Sequence, residues 1–390
     1  MTLQITKAEV FLVRIPLRFS IQHALASRTT NTSGFVILTA ADGTLGIGEF
    51  LCREYVTGER SEDCLRYLQQ VSPLLTQAKI QSPLDFMRSL WLQTPNEAGK
   101  YGAMCAVELA LLDLWGKQEG KPVAELLRPG VLRTAHEPIY SAVYPFASGV
   151  KLAALHFFYR VIIQTEWIKV KGKGRLADDL DYLRRIRQVF PHPVHVRLDL
   201  NGALAADHAE EYFSRMLESP HGVRWFEQPF PKDAWELSEK FQHRLGQGAV
   251  LCADESICTF DDLTQAIQRG AFRAVNIRIA KHGGLLNSMK LYEQALEAGL
   301  QVQLGCLVGE SSVLAYAGLH FAALADQLRH REGCFGTYLI KWDVVEPSLK
   351  FSRNGRVPLT HLPRAGLVPA FDVNRLRRQA FQSGSFGSAP

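Results

Sequence analysis

Lys169 and Lys171 stand two residues apart in the segment Trp167-Ile168-Lys169-Val170-Lys171. Its alternation predicts a strand, and side chains two apart on a strand face one side, so both ammonium groups enter the same space. Downstream, single ionisable residues close short apolar runs: Asp199 in R-L-D-L-N, Glu227 in F-E-Q-P, Asp254 in A-D-E-S and Arg278 in N-I-R-I-A-K. Counted from Lys171, the gaps are 28, 28, 27 and 24 residues. Three carboxylates gathered in one pocket would repel one another. A hard divalent cation, Mg²⁺ first and Mn²⁺ second, relieves that repulsion without Cys or His ligands. A cation beside the lysines is expected to lower a lysine pKa toward neutrality, as a lysine general base requires. A single Asp at a strand end is most often a helix N-cap, and a single lysine there can snorkel along the surface. Three acids on successive strands, after a K-x-K, form a pattern that those readings do not cover.

The elements that must carry these residues are short strands alternating with helical stretches. WIKVK is followed by LADDLDYLRRIRQVF, HVRLDL by LAADHAEEYFSRML, VRWFEQP by AWELSEKF, and AVLCADES by FDDLTQAIQRG. AVNIRIA and QVQLGC are likewise followed by helical runs, and IYSAVYP opens the series. Repeats of this size imply parallel strands with crossovers, and seven or eight of them predict a closed barrel over residues 135–344. In such barrels the active site lies at the C-terminal strand ends, where the ionisable residues fall. An open doubly wound sheet is the alternative, but no glycine-rich phosphate loop follows the first strand. Residues 1–128 read as α+β: strands over the first 60 residues with a turn at Asp42-Gly43, then helices to 128. Residues 345–376 are expected to return to this front domain, and the Gly/Ser-rich 382–390 to be a disordered tail.

Composition limits the function classes. A net charge of +5 is spread without a basic block, which argues against nucleic acid and suits a small anionic substrate. The apolar 103–115 stretch carries Glu108 and Asp113, so no membrane span is predicted. Seven cysteines without a C-x-x-C motif are expected to be reduced, pointing to the cytoplasm.

K-V-K at 169–171, R-L-D-L-N-G at 197–202, F-E-Q-P at 226–229, A-D-E-S at 253–256 and K-H-G-G at 281–284 together resemble the enolase superfamily. The likeness is to its mandelate racemase/muconate lactonizing enzyme family, in the muconate-lactonizing subgroup. The resemblance implies an α/β protein: a modified (β/α)₇β TIM-like barrel with an N-terminal α+β capping domain. It implies that Asp199, Glu227 and Asp254 bind Mg²⁺, with Asn201 and Glu255 beside them. The metal would bind the carboxylate of a small-molecule substrate and stabilise the enediolate left when the α-proton departs. Lys171 would be the acid/base catalyst and Lys169 its electrostatic companion. Family members are often homo-oligomers.

The sequence departs from that pattern in two places. On the sixth barrel strand the family usually has a second lysine; here Arg278 stands there, and arginine is a poor base. Lys281 is the other candidate for the opposite face. One-base isomerisation, cycloisomerisation or β-elimination of an organic acid or N-acyl amino acid is therefore favoured. Two-base racemisation or epimerisation is the alternative, as is a non-catalytic metal-binding relative. The second departure is W-D-V-V-E-P at 342–347, read as strand eight, where Asp343 lacks the D-x-D partner of dipeptide epimerases. Glu310 matches a strand-seven acid. Specificity is expected from two capping loops, 20–30 with His23 and Arg28, and 52–60 with Arg53 and Tyr55. A Schiff-base lysine barrel would need no metal, and the three acids argue against it.

Overall fold

The computed structural model describes residues 2–23, 26–190, 193–333 and 336–387; the side chains of 21–23 and 26–28 fall outside that description. Alternating apolar residues at the front build three antiparallel strands, β1 (Leu3–His23), β2 (Ala26–Ala40) and β3 (Leu45–Phe50). The predicted turn joins β2 to β3: Gly43 takes φ 83°, and the Asp42 carboxylate accepts the Thr44 amide at 2.9 Å. Helices α1 (Ser61–Gln77), α2 (Pro83–Gln93) and α3 (Lys100–Glu119) follow. A Cβ on Gly48 would meet the Ala106 carbonyl oxygen at 1.9 Å, so this strand–helix contact requires glycine.

Of residues 20–30, expected as a loop, 20–23 and 26–30 extend strands β1 and β2: Ile21 pairs with Arg28 and His23 with Ala26.

Eight parallel strands then run in chain order: β4 (Ala142–Tyr144), β5 (Trp167–Lys171), β6 (His195–Asp199), β7 (Trp225–Glu227), β8 (Val250–Ala253), β9 (Ala274–Ile277), β10 (Gln301–Leu304) and β11 (Leu328–Arg331). The crossovers carry α4 (Gly149–Phe157), α5 (Leu176–Gln188), α6 (Ala209–Glu218), α7 (Trp235–Leu245), α8 (Phe260–Arg269), α9 (Leu285–Glu297) and α10 (Ser312–Leu324). Local chemistry sets their starts. Thr259 and Asp262 exchange hydrogen bonds in a capping box before α8, and the Ser311 hydroxyl accepts the Val313 amide before α10. The Ser141 amide donates to the Arg331 carbonyl at 2.8 Å, which joins the sheet's two ends and makes it a barrel, not an open sheet.

The eighth strand is Leu328–Arg331, so 342–347 is not that strand. Its sequence, LRHR, lacks the apolar run that marks the other strands. The segment after it returns to the front of the molecule. Val345 bridges Phe371, and the buried Asp113 carboxylate of α3 accepts the Leu367 amide at 2.7 Å. Helix α11 (Val373–Gln379) packs on β1, and β12 (Ala380–Gly387) pairs antiparallel with β1. Residues 382–387, expected to be disordered, are therefore a strand, because the open edge of β1 needs backbone partners that composition does not reveal. Residues 388–390 lie outside the described chain.

Front and barrel meet through buried carboxylates at helix starts, where unpaired amides and the helix dipole favour negative charge. Glu49 of β3 accepts the Ser311 amide at 3.2 Å and its hydroxyl at 2.6 Å, ahead of α10. Glu108 of α3 accepts the Leu286 amide at 2.9 Å, at the start of α9. Burial pushes Glu49 up to about 7, against the pull of the Ser311 hydrogen bonds. It pushes Glu108 up to about 8, against the amides of Leu286 and Leu285. Both acids have a folded pKa above the unfolded value of 4.5. Their contribution to stability is full below pH 4.5 and is lost as pH rises through about 7 to 8. Each acid sheds roughly 1.4 kcal/mol for every pH unit crossed in that window. The Glu49→Gln/Glu108→Gln variant should therefore lose less stability than the parent between about pH 5 and pH 8.5. Thermal melts across that range check it; an unchanged slope would refute the assignment.

Candidate active site

Strand register sets the site. Lys171 of β5 is paired with Asp199 of β6, and Asp199 with Glu227 of β7, so three ionisable residues stand in a row at one level of the sheet. Asp254 and Arg278 follow directly on the ends of β8 and β9. The Lys169 ammonium lies 3.0 Å from Asp199 Oδ2, 3.0 Å from Glu227 Oε1 and 2.8 Å from Glu332 Oε2. Lys171 Nζ lies 2.6 Å from Asp199 Oδ2 and donates to Asn201 Oδ1 at 2.8 Å. Asn201, held at φ 43°, donates in turn to Glu255 Oε1 at 3.0 Å. Arg278 pairs with Asp254 and lies 3.8 Å from Glu227. Lys281 is sealed in: its ammonium donates to the Asp254 carbonyl at 2.7 Å, to Asp254 Oδ1 at 3.0 Å and to the Asn276 carbonyl at 3.0 Å.

Several participants were not foreseen. Glu332, immediately after β11, pairs with Lys169 and with buried Arg197. Gln303 donates to Glu227 Oε2 at 2.8 Å, and Asn276 to Glu227 Oε1 at 3.0 Å. Gln228 accepts the amides of Asp254 and Ser256 at 2.9 and 3.1 Å, tying the fourth and fifth strand ends together. Signals existed. Arg197 precedes Asp199 by two and so shares its face, and Glu332 obeys the same rule of one acid per strand end.

The electrostatics follow from burial and pairing. Burial alone would lower Lys169, but Glu227, Glu332 and Asp199 outweigh it and hold the ammonium well above its usual range. Burial works against the Asp199 carboxylate too, yet Lys171 and Lys169 hold it well below the usual range. Burial also opposes the Glu332 carboxylate, but Lys169 and Arg197 bring it down to about 2. Glu227 is raised, by burial and by its neighbour Asp199. Burial takes Lys281 down to about 8.

The donor set suits a hard divalent cation. Asp199, Glu227 and Asp254 are fully buried and offer only oxygen, and Glu255 Oε2 is buried without a hydrogen-bond partner. Ammonium and guanidinium groups now neutralise these oxygens, so an ion would displace part of the Lys171 and Arg278 pairing.

The remaining candidates are spread over the rim. Arg53 is buried and donates to Asn31 and to the Val308 carbonyl, tying the 52–60 segment to the loop after β10. Tyr55, half-buried, packs against the core from the short turn Glu54–Thr57. Glu310 accepts the Leu307 amide at 2.6 Å and is pushed up to about 8, by burial and Glu49, against Arg278 and Arg53. Asp343 accepts the Ser312 amide and hydroxyl at 3.1 and 2.6 Å, capping α10. Strand eight lies at 328–331, and the residues that follow it, Glu332-Gly333, carry no D-x-D either, so that departure stands. The side chains of His23 and Arg28 lie outside the described residues.

Residues 5–128 match the family model of the mandelate racemase/muconate lactonizing enzyme N-terminal domain, and residues 160–372 that of the enolase C-terminal domain-like family. An L-Ala-D/L-amino acid epimerase of Pedosphaera parvula is 29% identical over 80% of this chain and 84% of its own length. The muconate lactonizing enzyme of Pseudomonas fluorescens, solved with muconolactone, superposes with a TM-score of 0.86 at 23% identity, covering 97% of this chain and 99% of that one. The dipeptide epimerase of Cytophaga hutchinsonii, solved with Mg and the dipeptide D-Ala-L-Val, gives a TM-score of 0.82 at 20% identity, covering 98% and 99%. Among the described residues no helix is long and apolar enough to cross a membrane.

Glu332→Leu would leave Lys169 short of one acid and Arg197 without its ion pair, both inside the barrel. Losing one partner of such a network should cost about 3–5 kcal/mol. Urea unfolding of the two proteins measures this; a change below about 1 kcal/mol, the size of an exposed pair, would contradict it.

Proposed function

Because the chain belongs to the mandelate racemase/muconate lactonizing enzyme family of the enolase superfamily, we propose that it is an isomerase or lyase with a single catalytic base, Lys171. Its reaction is removal of the proton α to a carboxylate in a small organic acid or N-acyl amino acid. The observation that carries the one-base reading is the contrast between the two sides of the site. Lys171 is the most open of the three lysines at the site, with 14% of its side chain exposed against 3% for Lys169 and none for Lys281. Facing it stands Arg278, which cannot give up its proton at working pH.

Asp199, Glu227 and Asp254 would hold Mg²⁺ or Mn²⁺, which supplies Lewis acidity at the substrate carboxylate. Lys171 Nζ, positioned by Asp199 and Asn201, takes the α-proton and returns it, or passes it to the product, on the same face. Lys169 is a fixed positive charge, steadied by three acids. Arg278 offers a second fixed charge to the developing anion from the other side, without accepting a proton. Cycloisomerisation and β-elimination need only one such face.

A two-base epimerisation is the second reading, favoured by the epimerases among the relatives. It would require Lys281 to leave three hydrogen bonds.

Incubation in D₂O with Mg²⁺ and a panel of N-acyl amino acids, dipeptides, hydroxy acids and lactones separates these. One-base chemistry gives deuterium uptake with configuration retained. Lys171→Ala should lower the rate by roughly 10²–10⁴-fold, and EDTA should abolish it until Mg²⁺ is restored. Arg278→Lys should introduce some inversion. Inversion by the parent protein at the rate of exchange would overturn the one-base reading. No turnover of any carboxylate with metal present would favour a non-catalytic relative.

A further inference from the structure

Two thiols meet outside the carboxylate centre, at the root of the 52–60 segment. Cys52 follows β3 and is half-buried; Cys64 is fully buried in the first turns of α1. Their sulfurs are 3.2 Å apart, against about 2.05 Å in a disulfide. The space they occupy exists because residue 102 is glycine. A Cβ there would stand 2.6 Å from Cys64 Sγ, 3.4 Å from Cys52 Sγ and 3.5 Å from Glu59 Oε2. Glu59 completes the group. Its carboxylate accepts the amides of Tyr101 and Gly102 at 2.9 and 3.1 Å, and one of its oxygens lies within 4.8 Å of both sulfurs. A metal ion would be poorly placed, because those amides are the positive start of α3.

The chain between the thiols reaches the barrel mouth. Arg53 donates to the Val308 carbonyl after β10, and the Cys258 thiol after β8 donates to the Val56 carbonyl at 3.5 Å. A bond between Cys52 and Cys64 would close this segment into a loop.

We propose that Cys52 and Cys64 form a reversible disulfide, made by exchange with a small disulfide such as glutathione disulfide, and that it fixes segment 53–63 over the barrel mouth. Contact with Cys52 and burial hold the Cys64 thiol well above the ordinary range, so the more exposed Cys52 meets the oxidant first. The Cys52 thiolate attacks one glutathione sulfur and a glutathione thiolate leaves. Cys64 passes its proton to Glu59, its sulfur attacks Cys52 Sγ, and the second glutathione thiolate leaves. The two protein thiols are oxidised by two electrons, and one glutathione disulfide is reduced to two thiols.

The test incubates the whole protein at graded ratios of reduced to oxidised glutathione, blocks free thiols with N-ethylmaleimide and maps peptides by mass spectrometry. The expected product is a Cys52–Cys64 cross-linked peptide, lighter by two hydrogen atoms, that dithiothreitol reverses. Amide exchange over 53–63 should slow on the order of a hundredfold, as expected for closing a loop of this length. Cys64→Ser should stop at glutathionylated Cys52, and Gly102→Ala should shift the redox midpoint or block closure. Stable glutathionylation of Cys52 in the parent, another pairing, a stoichiometric metal that shields both thiols, or unchanged exchange over 53–63 would each overturn the proposal.

Discussion

A neutral cluster of charges inside a closed barrel governs this structure. Asp199, Glu227, Asp254, Glu255 and Glu332 are buried with Lys169, Arg197, Arg278 and Lys281, and half-buried Lys171 completes the set of five acids and five bases. No single charge among them could be taken from water alone, because the desolvation cost exceeds what one hydrogen bond returns. Strand register brings the charges together, and the closing Ser141–Arg331 hydrogen bond sets the eighth strand, and with it Glu332, beside the first.

That balance divides the work among residues of the same type. Lys169 is surrounded by acids and fixed as a cation; Lys281 serves the backbone and side chain of Asp254; Lys171 alone stands near the rim. Around the same mouth, Arg53 and Asn31 reach from the front domain to the carbonyls of Val308 and Gly309. Strand β2 and the segment after β3 are thus tied to the loop after β10 by a few hydrogen bonds.

Much of this is legible in the chain itself, and the omissions have physical causes. Lys171, Asp199, Glu227, Asp254 and Arg278 announce themselves because each ends an apolar run. Glu332 obeys the same rule, but its strand, LRHR, is too polar to register as one, so the eighth strand is sought at 342–347 instead. Asp343 looks like a site residue because its role, capping a helix more than thirty residues away, is not a local property of the sequence. The Gly/Ser-rich end looks disordered because edge pairing uses backbone groups that every residue carries. Arg53 draws attention as a charged loop residue, while two of its partners lie 22 and 255 positions away.

The pairing of β1 with β12 has a consequence for how the molecule is assembled. Val13 is matched with Ala380, so the front sheet waits for a strand translated after the entire barrel. During synthesis this edge of β1 lacks its partner while the eight barrel strands are made. The last acid of the charged interior is Glu332, whereas the strand that covers the front begins only at Ala380. The edge partner of the first strand is thus among the last residues to be made.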